Sequence, residues 1–211
     1  MMVLVPTLHD FLLSDADVPV NALSKGQAEQ LFRFFEQHPL FGWHNSHNGC
    51  EGRADAVCVL LDHWGIPNSK AWVFGGAFLR NHIGGLKQNW NYHVAAVLPV
   101  EENGRRNYYV LDPSATTSLT PVEEWAGAIT LFPHSYYCIR QAHWYVFPAT
   151  KIRSLPWHTR NRQNRKWMIQ CLANVNSITA TGRAAQCFNK VRLKNKALAF
   201  EQLKRMKPGG I

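Results

Sequence analysis

The chain has 211 residues, of which 46% are hydrophobic and 12% aromatic. This length and composition suit one compact domain with an appended segment and argue against a disordered chain. Five cysteines without a C-x-x-C pair lack metal-ligand spacing and do not suggest a disulfide framework. The net charge of +9 is uneven, because residues 1–125 carry 8 Lys/Arg and 13 Asp/Glu (8 − 13 = −5), whereas residues 126–211 carry 15 and 1 (15 − 1 = +14).

The N-terminal residues carry no basic segment and no small-residue cleavage site, which a secretory signal peptide would have. No later stretch approaches the roughly 20 apolar residues of a membrane span. We therefore expect a soluble chain without a transmembrane segment or a cleavable signal peptide, made in a reducing cytoplasm.

The first half of the chain predicts two helices. Ser24 and Gln27 form a capping-box pattern before apolar residues at helical spacing, which indicates a helix over about 24–37. A second apolar stripe of period 3.6 starts after Cys50 and ends at Gly65-Ile-Pro67, so Cys50 is expected at or just before the first turn of a buried helix.

Strand patterns follow the second helix. Residues 71–74, 92–100, 108–111, 136–139 and 144–147 are predicted strands, and residues 101–106 have the composition of a hairpin turn. Pro121 and the two acids after it indicate the first turn of a short helix. After Pro148 the sequence becomes basic and helical, most clearly over 167–174 and 191–206. The fold class is predicted as α+β, with a core over residues 1–150 and a basic helical extension over 151–211, packed on the core or used to dock a partner.

Three residues suggest nucleophilic chemistry when they are taken together. A helix N-terminus favours a thiolate, so its amides favour Cys50 as a nucleophile, although Glu51 and Asp55 oppose ionisation and a cationic partner is needed. His93 heads an apolar strand, and Asp112 ends the next strand of the predicted hairpin. An Asp so placed can hold the imidazole in its useful tautomer. Each residue alone has an ordinary structural explanation, and only the combination points to acyl transfer by Cys50, His93 and Asp112.

The segments around these residues resemble the bacterial protein-glutaminase (protein-glutamine deamidase) family. They are Asn48-Gly-Cys50-Glu-Gly-Arg53-Ala54, Trp90-Asn-Tyr-His93-Val-Ala-Ala and Leu111-Asp112-Pro-Ser114. The resemblance covers about residues 45–115. It implies a papain-like or transglutaminase-like core, in which a nucleophile helix packs on an antiparallel sheet. It also implies a protein substrate with a reactive glutamine, hydrolysis to glutamate and ammonia through a thioester, and no cofactor or metal.

Four further residues are candidates for substrate binding. His47 and Trp90 lie beside the catalytic candidates, and the side chain of Asn45 or Asn48 is a candidate oxyanion donor, although both asparagines also suit a turn. His143 is a rival histidine without an acidic neighbour in its strand.

Several alternatives stay open. A transglutaminase or a cysteine protease would use the same triad, since only access of water or an amine to the thioester separates them. A different class is a basic module that binds nucleic acid or a membrane surface and retains an inactive core, with nucleic acid the weaker choice. The basic extension also suits an acidic protein partner, an inhibitor or a secretion chaperone. By analogy with related deamidase domains, the chain is a candidate effector or toxin, delivered to another cell by a specialised secretion system.

Overall fold

The computed structural model describes residues 21–44, 49–78, 89–129, 136–143, 162–174 and 183–211. The described elements, in chain order, are β1 (Leu23–Ser24), α1 (Lys25–Gln37), α2 (Cys50–His63), β2 (Ser69–Phe78), β3 (Asn89–Glu102), β4 (Arg105–Leu111), β5 (Thr120–Pro121), α3 (Val122–Ile129), β6 (Tyr136–Gln141), α4 (Arg162–Leu172) and α5 (Arg183–Lys204). Five helices and a mainly antiparallel sheet among these residues confirm the predicted α+β class. None of the described helices is both long enough and apolar enough to cross a membrane.

The first helix begins where its capping signals predict. The Ser24 side chain accepts a hydrogen bond from the Gln27 amide, and the Gln27 side chain accepts one from the Ser24 amide. This reciprocal pair satisfies two amides that the helix itself leaves without partners. Leu31 and Phe35 then face the core on the buried side of α1.

The described strands form one sheet in the order β5-β4-β3-β2-β6, with β1 added in parallel beside the end of β3. The strands β3 and β4 are longer than predicted, because their hairpin turn uses only Asn103 and Gly104. These two residues have φ angles of 55° and 70°, as a type I′ turn requires, and Asn-Gly is the sequence that this turn favours. The turn fixes the register in which β4 ends at Leu111, opposite Ala96.

Helices cover both faces of the sheet. Alternate residues of β3 point to opposite faces, so Ala96 and Leu98 pack with α1 and α2, whereas Ala95 and Val97 pack with α3. The α3 side also includes Trp125, which is fully buried. Helix α2 and the short helix α3 therefore approach the same strands from opposite sides.

The two C-terminal helices share the core of α1 and α2. Met168 and Leu172 of α4 and Phe200 and Leu203 of α5 are buried within that cluster. Helix α4 packs closely on the first turn of α2, since a Cβ atom built at Gly52 would lie 2.3 Å from the Cβ atom of Cys171. The division into a core over 1–150 and an extension over 151–211 stays a prediction, and the predicted strand at 144–147 lies outside the described residues.

Candidate active site

Helix α2 begins at Cys50, as the sequence predicts. Gly49 precedes it with a φ of 117°, a conformation that an L residue with a side chain rarely adopts. The first helical bond joins the Arg53 amide to the Gly49 carbonyl at 2.9 Å. Gly49 thus lets the chain turn sharply into the helix and fixes the position of the Cys50 thiol.

The Cys50 sulfur lies against the edge of β3. The backbone N–H of Val94 donates a hydrogen bond to it, and Cys50 packs beside the buried cluster of Ala54 and Trp72. The pairing of β3 with β4 stops at Ala96. If β4 were longer, one of its carbonyls would accept a hydrogen bond from the Val94 N–H. The Cys50 sulfur accepts that bond instead. The end of β4 therefore makes room for the Cys50 sulfur.

The surroundings of Cys50 favour the neutral thiol. Burial raises its pKa well above the ordinary value, and the neighbouring Glu51 raises it further. The Arg53 guanidinium and the Val94 amide act in the opposite direction but are weaker. The outcome differs from the thiolate that a helix N-terminus favours, because desolvation of the charged sulfur outweighs the helix dipole here.

Glu51 joins Cys50 to Tyr92. The Cys50 thiol donates to Glu51 Oε2 at 3.4 Å, and the Tyr92 hydroxyl makes a short hydrogen bond to Glu51 Oε1. Burial and the charge of Glu51 raise the pKa of Tyr92, which therefore stays a protonated donor. The other acid flagged by the sequence, Asp55, instead forms a buried ion pair with Lys70 at 2.9 Å.

Arg53 is a buried cation at the same helix start. Its side chain is only 7% exposed, and its guanidinium carbon lies 6.0 Å from the centroid of the Trp43 ring, within range of a cation–π contact. Arg53 lowers the pKa of Cys50, so it acts in the direction expected of the cationic partner that Cys50 needs.

His93 and Asp112 meet as the hairpin register predicts. The imidazole Nε2 lies 2.8 Å from Asp112 Oδ2, and both side chains are almost fully buried. Asp112 directly follows Leu111, whose partner Ala96 lies three residues after His93. The residue that follows β4 thus lies close to His93 on β3. The turn between β3 and β4 sets the register that brings Asp112 to His93.

Two further donors hold the Asp112 carboxylate. Ser114 Oγ donates to Oδ1, and Trp125 Nε1 donates to Oδ2 at 3.0 Å. Burial alone would raise the pKa of Asp112, but His93 and the hydrogen bonds from Ser114 and Trp125 together lower it to about 2. A carboxylate that accepts several hydrogen bonds stays ionised even when it is buried.

Trp125 is a site residue that the sequence reasoning missed. It comes from α3, on the face of the sheet opposite α2, and its ring centroid lies 5.8 Å from that of His93. Trp125 thus contacts both members of the His93–Asp112 pair. Its only sequence signal was its place in a predicted helix, which says nothing about the strand that the helix covers.

One narrow cavity brings the three candidates together. Its lining includes Cys50, His93 and Asp112, with Arg53 and Ser114 beside them. The expectation that His93 lies within about 4 Å of the Cys50 sulfur, as hydrogen-bonded proton transfer requires, stays a prediction.

The remaining candidates are not brought into this cavity by what is described. Asn45, His47 and Asn48 lie outside the described residues. Trp90 lies on β3, paired with Ala77 of β2, but its side chain is not among those described. His143 follows the end of β6. Within the described part of the chain, no group of three or more His, Cys, Asp or Glu residues could hold a metal ion.

Comparisons with known proteins identify similar proteins by sequence and by fold. A family model described as "Glutaminase" matches residues 28–129. The NMR structure of protein-glutaminase from Chryseobacterium proteolyticum superposes with a TM-score of 0.54 at 14% identity, covering 86% of this chain and 95% of that chain. A crystal structure of protein-glutaminase gives a TM-score of 0.55 at 16% identity, covering 86% of this chain and all (100%) of that chain.

A pro-protein is also similar in fold. The crystal structure of pro-protein-glutaminase gives a TM-score of 0.56 at 17% identity, covering 82% of this chain and 68% of that chain. The chain spans 56% of the length of a mutant form of that pro-protein. No curated protein sequence matches the chain.

The solved structures establish a shared fold, and the family model adds a match in sequence. The matched residues run from α1 to the end of α3 and include Cys50, His93 and Asp112. Residues 28–129 of this chain are therefore similar in sequence to the glutaminase family, and the chain shares the fold of the protein-glutaminase structures.

Proposed function

We propose that the protein is a protein-glutamine deamidase, which hydrolyses the side-chain amide of glutamine in a protein to glutamate and ammonia. The match of residues 28–129 to the glutaminase family model and the fold shared with protein-glutaminases support this reaction. The observation that carries the proposal is the shared cavity of Cys50, His93 and Asp112, together with the 2.8 Å contact between His93 and Asp112. We also propose that the helix-on-sheet core is papain-like or transglutaminase-like.

The first half-reaction forms a thioester. His93 removes the proton from the Cys50 thiol as the sulfur attacks the amide carbon, so a C–S bond forms and the carbonyl oxygen gains negative charge. His93 then donates that proton to the amide nitrogen. The C–N bond breaks, ammonia leaves, and the acyl group remains on Cys50.

The second half-reaction restores the thiol. His93 removes a proton from a water molecule, whose oxygen attacks the thioester carbon. The C–S bond breaks, the sulfur recovers a proton from His93, and glutamate is released. Water therefore supplies the new carboxyl oxygen, and no oxidant, reductant or cofactor is consumed.

The orientation of His93 follows from its contact with Asp112. Because Nε2 lies against the carboxylate, Nδ1 is the ring nitrogen that exchanges the proton with Cys50. The ionised Asp112 stabilises the imidazolium that forms at each transfer. This support matters because burial and Glu51 raise the pKa of Cys50, so the base must take the proton during attack instead of finding a preformed thiolate.

The oxyanion is assigned to donors at the start of α2. The backbone amide of Cys50 belongs to the first helical turn, where amides lack helical partners and point towards developing negative charge. The side chains of Asn45 and Asn48 remain candidates for a second donor. Delivery of the protein as a bacterial effector or toxin stays a prediction.

The test is the intact mass of glutamine-rich proteins after incubation with the enzyme. Deamidation adds about one dalton per amide, because OH replaces NH₂ when the acyl-enzyme is hydrolysed. Cys50→Ala should abolish both this gain and ammonia release. Cys187→Ala is the matched control, since Cys187 is an exposed thiol on α5, and it should retain full activity.

Other products would identify the alternatives. Crosslinks or amine adducts would indicate a transglutaminase, and cleaved chains a cysteine protease. If ammonia is released equally by wild type and Cys50→Ala, the thioester mechanism is wrong. If none of these products forms with any protein tested, the enzymatic proposal fails and a binding module with an inactive core takes its place.

A further inference from the structure

A second concave site lies on α5, apart from the residues assigned to catalysis. It is a groove of about 320 Å³ between residues 38–40, which follow α1, and the side chains of Arg192, Asn195, Lys196 and Ala199. Lys196 Nζ donates to the Leu40 carbonyl at 2.9 Å and so joins the two walls. We name this site the α5 groove.

The α5 groove continues into an exposed apolar stripe. Phe188, Val191 and Leu198 are 64%, 52% and 53% exposed. Their spacing of three and seven residues puts them on one side of the helix, next to Asn195 of the groove. Large exposed apolar side chains that adjoin a groove are typical of a surface that contacts a partner.

The ionisable side chains that line the described part of the α5 groove are all basic. Arg192 and Lys196 lie on one wall and His38 on the other, and no acidic side chain is among the described residues that line the groove. Burial and then the charge of Arg192 lower the pKa of Lys196, and burial and then the charge of Lys196 lower that of His38. An anion bound here would relieve this repulsion.

The one acid of α5 does not balance this charge. Helix α5 carries six Lys/Arg residues and a single acid, Glu201. That carboxylate pairs with Arg165 of α4 and with Lys204 at 3.2 Å. Glu201 is therefore engaged by Arg165 and Lys204, and no acid is among the described residues that line the groove.

We propose that the α5 groove docks an acidic segment of a partner protein, which inserts one apolar side chain between residues 38–40 and α5. The groove is concave and the stripe beside it is apolar, which suits a side chain with a neighbouring backbone. Carboxylates on either side of that anchor would meet Arg192 and Lys196, an arrangement that adds specificity and rate of association. A lipid surface is the weaker choice, because it would leave a concave wall unfilled.

The experiment measures the binding of a defined peptide to the full chain by fluorescence anisotropy. The probe is a fluorescein-labelled peptide in which runs of Glu flank one central Phe. It should bind, and its affinity should fall as salt rises. Replacing the Phe by Ala or every Glu by Lys should each weaken binding about tenfold or more, which corresponds to about 1.4 kcal/mol.

Variants of α5 locate the site. Arg192→Glu should weaken peptide binding about tenfold, since it replaces an attraction by a repulsion. Ala199→Trp should do the same by filling the groove, without changing charge. The matched control is Lys190→Glu, which makes the same charge change on α5 outside the groove and should alter affinity less than about twofold.

Several results would overturn the proposal. They are no binding of the acidic peptide, equal loss in Arg192→Glu and Lys190→Glu, and full binding by Ala199→Trp. Preferential binding to vesicles of phosphatidylglycerol, with no peptide binding, would assign the surface to anionic lipid instead. Circular dichroism of each variant checks folding. Because the readout is binding and not ammonia release, this proposal and the proposed deamidase activity succeed or fail separately.

Discussion

Asp112 is buried and Cys50 is half-buried in the candidate site, and their surroundings favour opposite protonation states. Asp112 receives hydrogen bonds from Ser114 and Trp125 and contacts His93, and its pKa is lowered to about 2. Cys50 has an acid beside it, and burial raises its pKa well above the ordinary value.

The difference lies in which partners compensate for burial. Burial penalises the charged form of both groups. Two hydrogen-bond donors and an imidazole reverse this effect at Asp112, whereas Arg53 and one backbone amide do not reverse it at Cys50. The surroundings therefore hold Asp112 in its charged form and Cys50 in its neutral form.

The largest effect on activity is expected from a change at Asp112. Asp112→Asn keeps the shape but replaces the carboxylate by an amide, which favours the wrong imidazole tautomer and cannot stabilise the imidazolium. We expect kcat to fall by about 10³–10⁴-fold, with little change in KM. Ammonia release measures it. The matched control is Asp62→Asn, whose carboxylate contacts Asn68 at the end of α2; equal losses in both variants would contradict a special role for Asp112.

Asp112 should also make the free energy of unfolding depend on pH. The pKa of Asp112 falls from 3.8 to about 2 on folding, so its stabilisation is complete above the unfolded value and is lost as pH drops towards the folded one. It amounts to roughly 2 kcal/mol. Urea unfolding at about pH 5 and about pH 2 should show a larger loss for wild type than for Asp112→Asn. Equal losses in the two proteins would mean that Asp112 titrates normally.

Helix α4 packs on the first turn of α2 beside Cys50, as Trp125 of α3 contacts Asp112. Gly52→Ala would place a Cβ atom 2.3 Å from the Cβ atom of Cys171, which cannot rotate away. We expect a loss of about 1–3 kcal/mol in unfolding free energy as α4 shifts. The control is Gly26→Ala in α1, where nothing lies within 4 Å and a gain of about 0.5–1 kcal/mol is expected.

A rescue variant separates the clash from other effects of Gly52→Ala. Cys171→Gly removes the opposing Cβ atom, so the double variant should recover part of the unfolding free energy that the single variant loses. Thermal unfolding of both variants measures the recovery. Unchanged stability in Gly52→Ala alone would show that α4 does not pack on the first turn of α2.

Sequence reasoning predicted the parts of the site that local signals encode. The start of α2 at Cys50 follows from Gly49 and the helical spacing of the apolar residues after it. The contact between His93 and Asp112 follows from a hairpin whose turn residues are Asn103 and Gly104. These signals act within about 20 residues of chain, where turn type fixes register.

The parts that were missed depend on contacts distant in sequence. Tyr92 reaches Glu51 across 41 positions, and Trp125 covers His93 from a helix on the far face of the sheet. The ion pair of Asp55 with Lys70 also appears only once α2 packs on β2. No periodicity encodes such pairs, because packing between elements selects them.

The smallest expected effect is a change in the pKa of Cys50. Glu51→Gln removes the negative charge beside the Cys50 thiol, which raises the pKa of Cys50, so that pKa should fall in the variant. The rate of iodoacetamide alkylation at Cys50, followed by peptide mass against pH, should shift its midpoint to lower pH. Arg53→Gln should shift it to higher pH, because Arg53 acts in the opposite direction. If neither midpoint moves, burial alone sets the state of the thiol, and the contrast with Asp112 rests on hydrogen bonds rather than on charge.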